Sequence, residues 1–298
     1  MTEIDKTNRK GIVLAGGSGT RLHPLTVSVS KQLLPVYDKP MIYYPISNLM
    51  LAGINEVLII TAPDQEHLFR NLLGDGTQLG MQFDYAVQEK PEGVPEAFVI
   101  GADFIGDDPV TLILGDNIFY GQGLVQQLRH AVRSDRGATI FAYIVSDPQR
   151  YGVVTFDDTG KPVEIAEKPK RPRSDYAVTG LYFFDNDVVE IAQSLKPSKR
   201  GETEIIDVVR AYMTRGDLSV ERMGRGIAWL DVGTHQALAE AAAYVQAVDH
   251  RQGFKIACIE EIAWRQQWID DAQLKSLSAH YGNSPYGEYL AGLLESRL

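Results

Sequence analysis

The sequence predicts an α/β protein with a Rossmann-like, mainly parallel sheet flanked by helices, then a β-rich part and a helical C-terminal tail. Three observations carry this. Short apolar runs alternate with helix-length amphipathic segments through the first half, which is the pattern of βαβ units. The first run, Ile12-Val13-Leu14, empties into a glycine-rich turn, as a central strand does where an open sheet meets a ligand. Of 298 residues, 44% are hydrophobic, enough for one large domain or a core with an appendage.

Taken in order, Gly11 to Ala15, Val57 to Thr61, Phe83 to Val87, Val110 to Leu114 and Thr139 to Val145 read as strands. Helices are expected around 41–52, 65–73, 94–103 and 122–133. Beyond residue 146 the texture becomes β-rich, with strand-like pieces at Gly152 to Phe156, Val163 to Ala166, Val178 to Phe184 and Ile227 to Leu230, and helices near 186–194 and 203–214. These strands are expected to extend the same sheet. Asp157-Asp158-Thr159-Gly160 is a turn signal between two of them. Thr234 is placed to N-cap a helix in which Leu238, Ala241, Val245 and Val248 recur at helical spacing. A polar-aromatic helical tail runs on to Leu298, and its Trp264, Trp268, Tyr281, Tyr286 and Tyr289 read either as packing residues or as a partner surface. The expected division is a core of 1–240, in halves of about 1–145 and 146–240, and a helical region of 241–298. No repeat or low-complexity segment is visible.

Charge narrows the partners. Lys plus Arg total 29 against 39 Asp plus Glu, a net charge of -10, which disfavours nucleic acid and anionic membranes. A phosphorylated ligand must then be met by a local cluster of cations or by metal. The single cysteine, Cys258, allows no internal disulfide and reads as a small buried hydrophobe in a reducing compartment. The first ten residues are polar and carry no signal-peptide core, so a frayed tail is expected there. No run approaches the roughly 18 apolar residues of a membrane span. A soluble, cytoplasmic protein is expected.

The glycine-rich turn holds the first candidate site. Gly16, Gly17 and Gly19 leave the backbone free to curl so that successive N–H groups face an anion. Three glycines alone describe a tight strand-to-helix turn equally well. The added residues Thr20, Arg21, Pro24, Lys31 and Pro35 set cations at fixed offsets from the loop, as a polyphosphate requires. Counting from Gly17, the dinucleotide fingerprint needs glycine where Leu22 stands, and no Lys-Ser/Thr pair follows the last glycine as a P-loop demands.

The string Gly17-Ser-Gly-Thr-Arg-Leu22, with Pro24, Thr26, Lys31-Gln32 and Pro35-Val36, resembles the sugar-nucleotide pyrophosphorylases, most closely the bacterial glucose-1-phosphate thymidylyltransferases. The resemblance continues through residues 37–45, Leu-Gly-Asp-Asn (114–117), Arg-Tyr-Gly-Val-Val (150–154), Glu-Lys-Pro (167–169), Ala-Val-Thr-Gly-Leu-Tyr (177–182) and Ala-Trp-Leu-Asp-Val-Gly-Thr (228–234). It implies transfer of dTMP from dTTP to α-D-glucose 1-phosphate with release of pyrophosphate, as the first step toward dTDP-rhamnose-type sugar nucleotides. It also implies Mg2+, a nucleotide-binding first half, a sugar-binding second half and a homotetramer. A feedback site for a downstream dTDP-sugar is implied near the tail, Tyr120-Gly121 and Arg225.

Asp116 follows the run Val110 to Leu114, and Asp231 follows Ile-Ala-Trp-Leu. A carboxylate at a strand end either caps the next segment or faces a ligand, and two such carboxylates can share a hard divalent cation. The resemblance gives both aspartates to Mg2+. Residues 161–173 hold Lys161, Lys168, Lys170, Arg171 and Arg173 against Glu164 and Glu167. Most of that run reads as a solvated loop, but Lys168 sits between Glu167 and Pro169, where its ammonium suits a sugar phosphate while Glu167 accepts from sugar hydroxyls. By resemblance, Asn117, Tyr151, Gly152 and Val178 line the sugar-phosphate pocket, and Gly16, Gly17, Gly19, Thr20, Arg21, Lys31, Gln32, Gln88 and Gly93 bind the nucleotide. Gln88 offers a donor and an acceptor, matching the N3–H and O4 edge of thymine or uracil; a surface glutamine is the plainer alternative. The stretch 89–96 departs from the family pattern, with Pro95 for alanine and Glu96 for glutamine. The six histidines are scattered and none is assigned to metal or catalysis.

Overall fold

The computed structural model describes residues 7–198 and 201–295. In chain order the strands are β1 (Lys10–Ala15), β2 (Pro35–Val36), β3 (Lys39–Pro40), β4 (Glu56–Thr61), β5 (Gln82–Val87), β6 (Val110–Leu114), β7 (Asn117–Gly121), β8 (Ala138–Ile144), β9 (Gly152–Phe156), β10 (Pro162–Glu167), β11 (Tyr176–Phe184), β12 (Leu218–Arg222) and β13 (Ile227–Asp231). The helices are α1 (Tyr43–Leu51), α2 (Glu66–Leu73), α3 (Glu96–Ile100), α4 (Ala102–Ile105), α5 (Leu124–Val132), α6 (Val188–Ser194), α7 (Ile205–Arg215), α8 (His235–Gln252), α9 (Ile259–Arg265), α10 (Asp271–Tyr281) and α11 (Pro285–Glu295).

Strand β1 lies between β4 and β6, parallel to both, and β5 adds parallel to β4. Successive side chains of a strand point to opposite faces. Val13 and Ala15 therefore join Ile42, Ile46 and Leu49 in one core, while Ile12 joins Leu58, Ile60 and Phe98 in the other. Burial on both faces explains why the run Ile12-Val13-Leu14 is apolar without alternation. The sheet turns mixed where β11 enters antiparallel to β6 and carries β9 and β8 on its far side, giving the order β10-β9-β11-β6-β1-β4-β5, with β8 branching from β11 and β12 pairing parallel to β8.

One expected strand is elsewhere. The piece Ile227 to Leu230 does not extend the main sheet; as β13 it pairs antiparallel with β7 in a separate two-stranded ribbon. The helix expected over 94–103 is broken at Gly101 into α3 and α4. At the N-terminus, residues 1–6 lie outside the described residues, but the expected frayed tail does not reach Arg9. That side chain is only 1% exposed, and its guanidinium donates to the carbonyls of Val110 (3.0 Å) and Phe184 (2.8 Å).

Thr234 caps α8 as expected, its Oγ1 accepting from the Ala237 N–H at 3.2 Å. The tail folds back as α9, α10 and α11, whose Ile259, Leu274, Leu290 and Leu293 share a core with Leu49 and Met50 of α1. Its aromatics pack: Trp264 and Trp268 lie against that core, and Tyr281, Tyr286 and Tyr289 turn hydroxyls onto Glu260 and Glu261. Among the described residues no helix is long and apolar enough to cross a membrane.

Candidate active site

The site is built where β6 ends. After Leu114 the chain turns through Gly115-Asp116 and returns as β7, and the ribbon register sets Asp231 opposite Asn117. The Val232 N–H donates to the Asp116 carbonyl at 3.0 Å, which binds the two carboxylate-bearing turns together. Asn117 locks the corner: its Nδ2 donates to Asp116 Oδ1 (3.0 Å), and its Oδ1 accepts from Trp229 Nε1 (2.7 Å) and from the Gly180 N–H (3.1 Å). Lys31, in a helical turn beyond the glycine loop, forms an ion pair with Asp116.

The electrostatics are unbalanced. Burial, and then the neighbouring Asp116 charge, push the Asp231 carboxyl up to about 6 against the opposing pull of Lys31, Arg21 and Arg150. The cations beside Asp231 do not cancel the cost of burying its charge next to Asp116. Perturbation of this kind, in a cleft, marks a functional site.

Asp116, Asn117 and Asp231 line a cavity of about 330 Å³ together with Arg21, Tyr151, Gly152, Glu167, Lys168 and Val178. The structure thus gathers all six residues expected on the sugar-phosphate side. Lys168 has φ of 40°, a left-handed conformation uncommon for a residue with a side chain. Its N–H donates to the Tyr151 carbonyl (3.0 Å) and its ammonium lies 3.2 Å from Glu167 Oε1. At Gly152 a β-carbon would sit 2.5 Å from Ile206 Cδ1. Part of what glycine supplies there is room for α7, in addition to the expected approach of a sugar ring.

Of the residues expected at the nucleotide, Arg21 lines this cavity itself, while Gly16 and Gln88 directly follow β1 and β5. Gly16 passes under Gln88 so closely that a β-carbon would meet Gln88 Oε1 at 2.5 Å. Gly17 faces the Lys31 ammonium, and Gly19 and Thr20 lead into the turn that carries Arg21. Gln32 is buried: its Oε1 accepts from the Ser30 hydroxyl at 2.6 Å and its stem packs against Gly115. No bond joins it to Gln88. Gly93 lies in a loop clamped to the sugar side, because the Glu92 carbonyl accepts from both the N–H (2.8 Å) and the hydroxyl (3.1 Å) of Thr203.

Several wall residues escaped the sequence reading. Arg150, whose charge reaches Asp231 and whose guanidinium stacks 5.4 Å from the Tyr151 ring centre, stood inside the string Arg-Tyr-Gly-Val-Val but was not selected. Trp229, 5.2 Å from the Tyr151 ring, likewise stood inside Ala-Trp-Leu-Asp. Thr203 carried no signal, since only the fold brings it to residue 92. A second, largely apolar cavity of about 480 Å³ is lined by Tyr120, Gly121, Phe254, Lys255, Glu261 and Arg265 among others. Arg225 is not part of its wall.

Comparison with known proteins identifies the family. A profile of the nucleotidyl transferase family matches residues 10–248. Over 286 residues the chain is 58% identical to the glucose-1-phosphate thymidylyltransferase of Neisseria meningitidis, covering 96% of this chain and 99% of that one. The corresponding Mycobacterium tuberculosis protein is 54% identical with the same coverage. A Bacillus anthracis crystal structure, of a protein assigned to the glucose-1-phosphate thymidylyltransferases and in complex with a sucrose, superimposes with a TM-score of 0.74. It is 41% identical over 79% of this chain and 94% of that one. The chain belongs to the nucleotidyl transferase family, in its glucose-1-phosphate thymidylyltransferase branch.

Proposed function

We propose that this chain transfers the dTMP group of dTTP to α-D-glucose 1-phosphate, giving dTDP-glucose and pyrophosphate. The observation that carries the reading is the convergence of Asp116, Asp231, Arg21 and Lys168 on one cavity beside the glycine loop. A phosphate oxygen of the sugar 1-phosphate attacks the α-phosphorus and pyrophosphate departs in line. The attacking oxygen is already an anion, so no general base is needed, and the work of the protein is alignment and charge neutralisation.

Arg21 holds the triphosphate and the departing pyrophosphate. Lys31 joins it by exchanging Asp116 for a phosphate oxygen, while the backbone of Gly16, Gly17, Gly19 and Thr20 cradles the nucleotide. Lys168 positions the sugar phosphate, with Glu167, Asn117, Tyr151, Gly152 and Val178 around the sugar. Gln88 and Gly93 meet the base; Gln32 supports the loop from beneath through Ser30 and Gly115.

Asp116 and Asp231 suit Mg2+. They offer hard oxygen donors, and a cation there would relieve the push that burial and the Asp116 charge exert on Asp231. Among the described residues no three His, Cys, Asp or Glu side chains gather into a closed metal cage, so phosphate oxygens and water would complete the shell. When bound, the cation supplies charge neutralisation at the triphosphate. The apolar cavity at Tyr120 and Gly121 is the place for the feedback ligand that the resemblance implies. A cytoplasmic homotetramer completes the reading, and light scattering on the purified protein checks the assembly.

Pyrophosphate release measured across four nucleoside triphosphates and several hexose 1-phosphates tests the reaction; dTTP with glucose 1-phosphate is expected to turn over best, and clear preference for another pair overturns it. Lys168→Met is expected to raise KM for the sugar phosphate by the equivalent of about 1.5–3 kcal/mol while leaving KM for dTTP near normal. Equal losses for both substrates would remove Lys168 from the sugar phosphate.

A further inference from the structure

We propose that Glu96 is a positioning residue that sets base preference by holding the Gln88 amide in one orientation. The inference rests on Gln88 standing at the base, as proposed above. Gln88 is 4% exposed and ends the run of β5. Its Nε2 faces two acceptors, Glu96 Oε2 at 2.5 Å and the Gly93 carbonyl at 3.3 Å. A carboxylate and a carbonyl can only accept, so the amide nitrogen is the atom that belongs on that side. Glu96 is itself held by the Glu92 N–H, which donates to the same Oε2 at 3.3 Å.

With the nitrogen spoken for, Oε1 is what remains. It lies over Gly16, and among the described residues no hydrogen bond reaches it. Gln88 therefore presents an acceptor to the nucleotide, and the two-sided donor-and-acceptor match expected from its residue type does not hold. An acceptor pairs with the N3–H of thymine or uracil. It repels the bare N3 of cytosine, where two acceptors would meet. A glutamine at position 96 would constrain Gln88 less, since a carboxamide can turn either its oxygen or its nitrogen toward it. The substitution that departs from the family pattern thus converts a reversible orientation into a single one.

The experiment is kcat/KM for dTTP and for dCTP, by pyrophosphate release, in the full chain and in Gln88→Ala, Glu96→Gln, Glu96→Leu and Glu96→Lys. The readout is the dTTP-to-dCTP ratio within each variant, which loss of folded protein does not alter. Gln88→Ala and Glu96→Lys, which turns a donor toward Gln88 and favours the flipped amide, are each expected to lower the ratio about tenfold or more, the weight of one mismatched buried hydrogen bond. Glu96→Leu should lower it less, and Glu96→Gln should keep it within about threefold because an acceptor can still be offered. If Gln88→Ala collapses the ratio while Glu96→Lys and Glu96→Leu leave it unchanged, Glu96 does not position Gln88 and the proposal is overturned. If Gln88→Ala itself leaves the ratio unchanged, the placement of Gln88 at the base fails, and the proposal with it.

Discussion

Two pairs of largely buried carboxylates, Asp116 with Asp231 and Glu260 with Glu261, sit in opposite electrostatic conditions. In the tail, Glu260 accepts from the hydroxyls of Tyr281 (2.7 Å) and Tyr286 (2.6 Å), and Glu261 from Tyr289 (2.5 Å) and Arg265 Nε (2.7 Å). The ammonium groups of Lys39 and Lys255 lie 5.9 and 5.7 Å from the Tyr286 ring centre. Burial and then the adjoining Glu260 charge drive the Tyr281 hydroxyl far up, so it stays protonated and keeps donating. At the cavity Asp116 is served by Lys31 and Asn117, yet burial, and then the Asp116 charge, raise Asp231 to about 6 against the pull of Lys31, Arg21 and Arg150. Satisfied carboxylates hold helices together. A carboxyl whose charge stays costly to bury marks a candidate functional site.

The sharpest way to break this contrast is kinetic. Asp116→Asn and Asp231→Asn are each expected to cut turnover on the order of 10²–10³-fold, the scale of losing one preorganised charge-stabilising group. The double variant should be little worse than either single one, because residues acting as a unit are not additive. Steady-state pyrophosphate release decides it, and additive losses would mean that the two aspartates serve separate purposes.

Next in size is the tail. Glu260→Ala strands the buried Tyr286 hydroxyl and leaves the Tyr281 hydroxyl with Tyr43 alone, and is expected to destabilise the protein by about 2–4 kcal/mol in urea unfolding, while the folded fraction keeps its kcat. Tyr286→Phe, which leaves Tyr281 on Glu260, should cost about 1 kcal/mol. An unchanged unfolding midpoint in Glu260→Ala would make the tail network ornamental and end the comparison from that side.

A further effect has the opposite sign. Asp231 holds its proton to about pH 6 when folded, against about 3.9 when unfolded. Between those values the native state binds more protons than the unfolded one, so stability falls as pH rises through the window. Asp231→Asn removes that loss. Without added cation it should be about 1–2 kcal/mol more stable than the parent above pH 6, with the gain vanishing below pH 4. Thermal melts across pH 4–8 that run parallel for parent and variant would show that Asp231 carries no such mismatch.

What the sequence determined by itself was whatever a few neighbouring residues encode. The apolar run of β1, the glycine loop after it, the Thr234 cap and the turn at Asp157, whose Oδ1 accepts from the Thr159 and Lys161 N–H groups at 2.9 Å each, are local patterns. They were legible because periodicity and capping act over one or two turns of chain. Gly16, Arg21, Lys31, Asp116, Lys168 and Asp231 were legible as chemical types at strand ends and at motif offsets. The tertiary structure alone decided partners. Ile-Ala-Trp-Leu reads as a strand whether it joins the main sheet or pairs with β7, and only the ribbon register sets Asp231 beside Asp116. Polar Arg9 reads as tail until the carbonyls of Val110 and Phe184 are seen to receive it. Gln88 reads as two-faced until Glu96 takes its nitrogen. In each case the deciding free energy comes from contacts between segments distant along the chain or turned together only by the fold, and no window of neighbouring residues contains it.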